Sequence, residues 1–311
     1  MRVRHRRARA QALNGRFAPS PTGELHLGNL RTGLLAWLFA RSARSRFLVR
    51  VEDLDRQRSK PEHEERQLAD LRAIGLDWDG DVLRQSERTG LYRDALERLR
   101  AQGRVYECWC TRAEIREAAQ APHGPLREGA YPGTCRHLSE AEREERRRSG
   151  RPAALRLDAR GEAVRFHDRL HGDVIGTVDD LVLWRGDGTP AYNLAVVVDD
   201  AAQGVEEVVR GDDLLDSTPR QLLIARLLGL PAPQYAHVPL VLAPDGSRLA
   251  KRHGAVTLAD IDPEDALSWM AVSLGMAEPG ERVSAAELLE RFDADRLPRE
   301  PTVFSPSAAA R

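Results

Sequence analysis

Two short apolar runs, residues 15–18 and 47–51, bracket a longer apolar stretch over 27–44, and a glycine-punctuated loop joins the first run to that stretch. Strand, loop, helix and second strand in this order demand a crossover connection, because a helix of this length returns the chain to begin a neighbouring strand in the same direction. The sequence therefore predicts an α/β protein built on a doubly wound, Rossmann-like parallel sheet. Leu68, Leu71 and Ile74 recur at helical spacing and predict a helix over 62–74. Another amphipathic helix spans 91–102 and stops at Gly103, and 105–108 is extended.

From 108 to about 151 the rhythm breaks into Gly, Pro and charge, so residues 108–180 are expected as an insertion. Extended sequence resumes at 153–157 and 181–184, then come a helix over 213–228, a strand over 238–242 and a Pro-Asp-Gly turn at 244–246. The layout expected is a basic tail over 1–14, two sheet halves at 15–107 and 181–262 around the insertion, and a helical region over 263–311 with a Pro/Ser/Ala end.

A chain of 311 residues, 41% hydrophobic and 31% charged, has the composition of a globular protein with a sizeable core. No apolar run approaches the ~20 residues that span a bilayer. The basic start lacks an apolar stretch behind it and is no secretory signal, so the expected location is the cytoplasm. The net charge of −1 rules out a polycation held to nucleic acid by bulk charge; any such contact needs a local basic face. Of 47 basic residues only Lys60 and Lys251 are lysines. A lysine kept in so arginine-rich a chain suggests a need for the compact ammonium. Neither lysine follows a glycine, which excludes a Walker A loop. His63-Glu64 hints at a metalloprotease, but Gln67 stands where the second histidine should be.

The loop after the first strand reads Arg16-Phe17-Ala18-Pro19-Ser20-Pro21-Thr22-Gly23-Glu24-Leu25-His26-Leu27-Gly28-Asn29. Gly23 and Gly28 allow close backbone approach. The loop delivers a ligand to a helix N-terminus, where N–H groups and the helix dipole favour phosphate, and His26 adds a donor. The segment resembles the adenylate-forming signature His-Ile-Gly-His of class I aminoacyl-tRNA synthetases, with Asn29 at the second histidine. Gly246-Ser247-Arg248-Leu249-Ala250-Lys251-Arg252 is similar to the family's second signature, Lys-Met-Ser-Lys-Ser. Arg248 and Ala250 depart from it, and Lys251 keeps the phosphate-contacting lysine.

The resemblance covers roughly residues 16–275 and points to the glutamyl group, through the Arg16–Gly23 segment, Val51-Glu52-Asp53-Leu54-Asp55 and Leu76-Asp77-Trp78-Asp79. It implies a class I synthetase fold with an inserted zinc-binding, acceptor-end subdomain. It also implies a glutamate pocket of Arg16, Phe17, Ala18, Pro19 and Ser20, with Arg210 as a second guanidinium fork, Glu52 opposite the ammonium and Tyr192 as a wall. Gly23, His26, Gly28, Asn29 and Lys251 would meet ATP, with Mg²⁺ accompanying the nucleotide, and His26 and Lys251 would be catalytic.

Cys108, Cys110 and Cys135 lie close in the sequence, and in a cytoplasmic chain such clustering favours a metal over disulfides. Three thiolates leave a tetrahedral zinc one ligand short, and His123 or His137 could supply it. Tyr131-Pro132-Gly133-Thr134-Cys135 instead resembles part of the zinc site of glutamyl-queuosine tRNA(Asp) synthetases, which implies Tyr131 as the fourth ligand. Two further features point to that short branch: only 60 residues follow Lys251, and Val196 stands where full glutamyl-tRNA synthetases carry asparagine. The expected reaction is activation of L-glutamate to glutamyl-adenylate, then transfer to queuosine at the wobble position of tRNA(Asp), by a monomer away from membranes. Two alternatives remain: a minimal glutamyl-tRNA synthetase charging a 3′ end, and a non-catalytic glutamate- or nucleotide-binding relative.

Overall fold

The structure is a computed structural model that describes residues 13–111, 113–115, 131–247, 249 and 256–304. Chain order begins β1 (Gly15–Phe17), α1 (Leu27–Ser42), β2 (Phe47–Val51), α2 (Pro61–Ala73), β3 (Leu83–Arg84), α3 (Thr89–Ala101) and β4 (Val105–Cys108). It continues with α4 (Glu140–Arg148), β5 (Ala154–Leu157), β6 (Ala163–Asp168), β7 (Gly172–Thr177), β8 (Val182–Trp184), α5 (Tyr192–Ala202) and β9 (Glu207–Gly211). It closes with α6 (Thr218–Leu228), β10 (Gln234–Val238), β11 (Val241–Leu242), α7 (Pro263–Ser273), α8 (Ala285–Arg291) and β12 (Thr302–Val303).

β1, β2 and β3 form one parallel set, and β9, β10 and β6 another that ends in antiparallel β7. The sets meet at β1 and β9. The Asn14 carbonyl accepts from the Glu206 and Glu207 N–H groups, and Arg16 Nη1 reaches the Val209 carbonyl, so the two strands run side by side in the same direction. The strand order reverses there, which opens a crevice at the carboxyl ends where such sheets bind ligands.

α1 is apolar almost all round because it lies under this junction: Leu27, Leu30, Leu34, Leu35, Leu38 and Phe39 are all buried. α2 starts on Pro61, with Glu62 and Glu64 in its first turn, as a helix N-terminus prefers. Gly103, at φ +66°, ends the α3 turn in the left-handed region that glycine adopts without strain.

Three expectations need correction. The strand placed at 238–242 is two strands: β10 ends at Val238, because Pro239 has no N–H to continue the ladder, and β11 begins afresh at Val241. β6 belongs with β10 rather than with the insertion, since Asp168 is the register partner of Tyr235. The helical C-terminal region also carries a strand, β12, which returns to pair with β11. Of the expected insertion, α4 and β5 remain, and β5 pairs antiparallel with β4 and β8, which stand at its two borders. No helix among the described residues is long and apolar enough to cross a membrane.

Candidate active site

Around the crevice, Arg16, Arg50 and Glu52 on or beside β1 and β2, and Asp200 on α5, are charged side chains that little water reaches. Arg16 on β1 donates through Nε to Asp200 Oδ1 at 3.4 Å. Arg50 on β2, fully buried, donates through Nη1 to Asp200 Oδ1 at 2.6 Å and to Gln203 Oε1 at 2.9 Å, and through Nη2 to Glu52 Oε1 at 3.4 Å. Burial opposes the Asp200 charge, yet Arg50 and Arg16 outweigh it and hold the carboxyl below its ordinary range. For Glu52 the balance reverses. Burial, aided by Asp200, keeps its carboxyl above the usual range despite Arg50 and Arg16. A carboxylate in that condition is stabilised by any further cation that reaches it, which suits a counter-charge for an ammonium.

Arg210 on β9 differs from Arg16. Its Nε donates to His237 Nε2 at 3.1 Å, Nη1 to Gln221 Oε1 at 2.8 Å and Nη2 to Thr218 Oγ1 at 2.8 Å. Among the described residues no carboxylate pairs with it. The sequence offers Arg16 and Arg210 as two guanidinium forks; Asp200 already partners Arg16, so among the described residues Arg210 is the fork without an acidic partner.

Ser20, Glu52 and Tyr192 line one cleft of about 530 Å³, which extends past Asp55 and Arg185 to Cys108 and Cys110. Ser20 is held over Glu52 because the Glu52 N–H donates to the Pro19 carbonyl, and Gln67 Nε2 donates to the Ser20 and Gly23 carbonyls. Phe17 is buried, its ring 3.5 Å from where a Cβ on Gly33 would lie, so it supports the pocket floor from within the core. Ala18 and Pro19 continue the same segment.

At the N-terminus of α1, His26 and Asn29 form a reciprocal cap: the Asn29 N–H donates to His26 Nδ1 and the His26 N–H donates to Asn29 Oδ1, both at 3.3 Å. A Cβ on Gly28 would stand 3.0 Å from His26 Cε1 and 3.3 Å from Val241 Cβ, so the turn needs glycine to leave the imidazole in place. Lys251, with Arg248, Ala250 and Arg252, lies outside the described residues. The flanks of that segment are placed: the Leu249 N–H donates to the Val241 carbonyl, and the Val256 carbonyl accepts from the Leu27 N–H at the start of α1.

The cysteines converge. The sulphurs of Cys108, Cys110 and Cys135 lie within 4.8 Å of one another, a group that could hold a metal ion. Cys110 and Cys135 Sγ are 3.4 Å apart, and the Tyr131 hydroxyl is 3.4 Å from Cys108 Sγ and 3.8 Å from Cys110 Sγ. Four donors about a zinc with ~2.3 Å Zn–S bonds stand about 3.5–3.8 Å apart, so these atoms fit such a centre. The Cys135 N–H donates to the Tyr131 oxygen at 2.8 Å, and Arg156 lies 3.7 Å over the tyrosine ring. That N–H favours negative charge on the phenol oxygen, but burial and the Cys108 thiol outweigh it and hold the phenol well above its ordinary range. Burial opposes ionisation of Cys108, but Tyr131 and Arg156 hold its thiol below the ordinary value, whereas burial and Cys135 push Cys110 up to about 12. A cation is what would ionise the whole set together. His137 is exposed and outside the cluster, and His123 lies outside the described residues.

Several residues of this constellation carried no role in the sequence reading: Arg50, Asp199, Asp200, Asp168, Thr218, Gln221 and His237. Arg50 did leave a signal, an arginine inside the otherwise apolar strand Phe-Leu-Val-Arg-Val.

A parallel sheet with its crevice at the order reversal, a capped helix N-terminus beside it and buried guanidiniums around it make this crevice the candidate active site of an α/β protein. Residues 12–305 match the family model described as "tRNA synthetases class I (E and Q), catalytic domain". The chain belongs to that family and is a ligase of the class I aminoacyl-tRNA synthetase type. It is 64% identical over 296 residues to a protein of Nocardia farcinica named glutamyl-Q tRNA(Asp) synthetase, covering 94% of this chain and 93% of the relative. A protein of the same name from Symbiobacterium thermophilum is 52% identical, over 93% of this chain and 95% of the relative. Among solved structures, a glutamate tRNA ligase from Elizabethkingia meningosepticum in complex with its amino acid superposes with a TM-score of 0.80 at 28% identity, over 96% of this chain and 68% of that one.

Proposed function

We propose that this enzyme activates L-glutamate with ATP and transfers the glutamyl group to queuosine at the wobble position of tRNA(Asp), in the cytoplasm. The amino-acid half is carried by Arg210, a buried guanidinium with only neutral partners among the described residues, and by Glu52, a carboxylate that further positive charge would stabilise; both act on the hydroxyl of Tyr192. That arrangement fits a substrate bearing an ammonium between carboxylates. The acceptor half is supported by relatives of that name at 64% and 52% identity, against 41% for a glutamate–tRNA ligase of Oleidesulfovibrio alaskensis, of which this chain covers 63%.

In the first step a carboxylate oxygen of glutamate attacks the α-phosphorus of ATP, the bond to the bridging oxygen breaks, and glutamyl-adenylate and pyrophosphate result; Mg²⁺ would accompany the nucleotide and offset its charge. Lys251 and the N–H groups beside His26 would offset charge on the phosphoryl oxygens. In the second step a hydroxyl of the acceptor attacks the acyl carbon and AMP leaves; the hydroxyl proton passes to solvent or to the departing phosphate. The cleft from Ser20 to Cys110 is open enough to admit a base. Cys108, Cys110, Cys135 and Tyr131 would hold zinc, whose contribution is to fix the cleft wall.

The test is transfer of labelled glutamate to purified tRNA with and without queuosine. Labelling only of the queuosine form is expected. Equal labelling of an unmodified transcript overturns the acceptor assignment in favour of 3′-end charging, and a lack of glutamate-dependent pyrophosphate release would make the chain a binder.

A further inference from the structure

We propose that His237, oriented by Asp168, is a positioning residue that holds Arg210 by a neutral acceptor and so leaves its charge for the carboxylate of the substrate. The inference rests on the reading above that Arg210 binds that carboxylate. Arg210 and His237 are register partners on adjacent strands β9 and β10, so the sheet itself sets their side chains next to each other. His237 is fully buried. Its Nδ1 lies 2.6 Å from Asp168 Oδ2, and its backbone N–H donates to the same carboxylate. The Leu170 and His171 N–H groups complete the shell around Asp168 Oδ1.

A carboxylate at Nδ1 fixes the proton there and makes Nε2 an acceptor. That is the tautomer Arg210 Nε–H requires at 3.1 Å, with Thr218 Oγ1 at the same distance from Nε2. The guanidinium thus acquires a fixed plane from His237, Thr218 and Gln221 without being neutralised. A carboxylate set directly against Arg210 could orient it equally well, but it would compete with the substrate for the same donors. The imidazole separates the two roles: Asp168 supplies the orienting charge one ring away. β6 gains a purpose here, because its pairing with β10 brings Asp168 to this place. Burial and the neighbouring Arg210 also resist protonation of His237, which would convert Nε2 into a donor.

The experiment measures ATP–pyrophosphate exchange by the full chain while glutamate and ATP are varied separately, beside thermal melts. His237→Ala and Asp168→Asn should each raise the glutamate KM by about 10-fold or more, with kcat and the ATP KM within about 3-fold. His237→Gln, whose amide oxygen can accept from Arg210, should recover most of the loss. A parallel rise of both KM values, or a His237→Gln no better than His237→Ala at equal melting temperature, would assign His237 to packing and overturn the inference. Arg210→Ala separates the two levels. If it leaves the glutamate KM unchanged, the site reading fails. If it raises that KM while His237→Ala and Asp168→Asn do not, only the positioning role fails.

Discussion

At the residue scale, the guanidinium side chains of the crevice have unequal surroundings. Arg16 shares Asp200 with Arg50, whereas Arg210 meets an imidazole, a hydroxyl and an amide. A ligand that lacks the side-chain carboxylate, as glutamine does, or carries it one methylene short of the guanidinium, as aspartate does, gives a buried charge no partner, which costs several kcal/mol. Exchange should therefore run with glutamate and barely with glutamine or aspartate, and Arg210→Ala should lower kcat/KM for glutamate by about 10²-fold. Equal exchange with glutamine would remove the dicarboxylate assignment. The two lysines make a second contrast. Lys60 is exposed at the start of α2 and caps nothing with its side chain, so Lys60→Ala should be silent. Lys251→Ala should reduce adenylate formation by ~10² or more with the melt unchanged, if its ammonium meets charge that develops in the transition state. Similar rates for both variants would return Lys251 to the surface.

At the element scale, the β4–β5–β8 sheet presents Cys108 at the end of β4, while the Pro132-Gly133 turn brings Tyr131 back upon Cys135. Gly133 adopts φ +84°, a conformation costly for any residue with a Cβ. Leu157 and Leu183 tie the sheet into a larger core, but the Tyr131–Cys135 segment is packed by little more than the small cluster of Cys108, Trp109, Tyr131 and Cys135, so a metal crosslink would supply much of that segment's rigidity. Purified protein should contain stoichiometric zinc. Tyr131→Phe should lose most of it, and His137→Ala none. Stripping the metal should lower the melting temperature and glutamate transfer to tRNA more than it lowers pyrophosphate exchange. Metal-free wild-type protein with full transfer would dismiss the site, and zinc loss from His137→Ala alone would dismiss the tyrosine.

Across the whole molecule, one buried ionic network ties the first strands to the second half. Asp199 on α5 accepts from Gln85, Arg88 and Tyr92, while Asp200 receives Arg16 and Arg50 from β1 and β2. Because Asp200 is held below its ordinary value of 3.8, the folded state binds its proton more weakly than the unfolded chain does. Its contribution to stability is thus present above that value and is lost as pH falls through the lower, folded one. Asp200→Asn should cost on the order of 3 kcal/mol at neutral pH, since Arg50 loses its closest partner while still buried. The gap in unfolding free energy between variant and wild type, from urea titrations, should narrow as pH drops below 3.8. A gap that stays constant with pH would mean that Asp200 acts through packing rather than charge.

Much was legible before any coordinates. The strand–loop–helix rhythm over 15–51 is local, because two-residue and 3.6-residue periodicities are written in consecutive side chains. Gly28 and His26 were legible as a helix-capping loop, and Cys108, Cys110 and Cys135 as a cluster, because their spacing is short. Pro239 was visible too, but the competing apolar run at 238–242 hid the break it makes. Tertiary structure alone decided which charges meet. Asp168 and His237 stand 69 positions apart, and Arg50 and Asp200 150 apart. Nothing in either local segment marks the pairing, because it arises from strand order in the sheet. The same holds for the difference between Arg16 and Arg210: of two arginines of equal standing in the sequence, one meets a carboxylate and the other, among the described residues, only neutral partners. What separates them is which neighbouring strand or helix supplies an acid, and that depends on chain topology, not on composition or period.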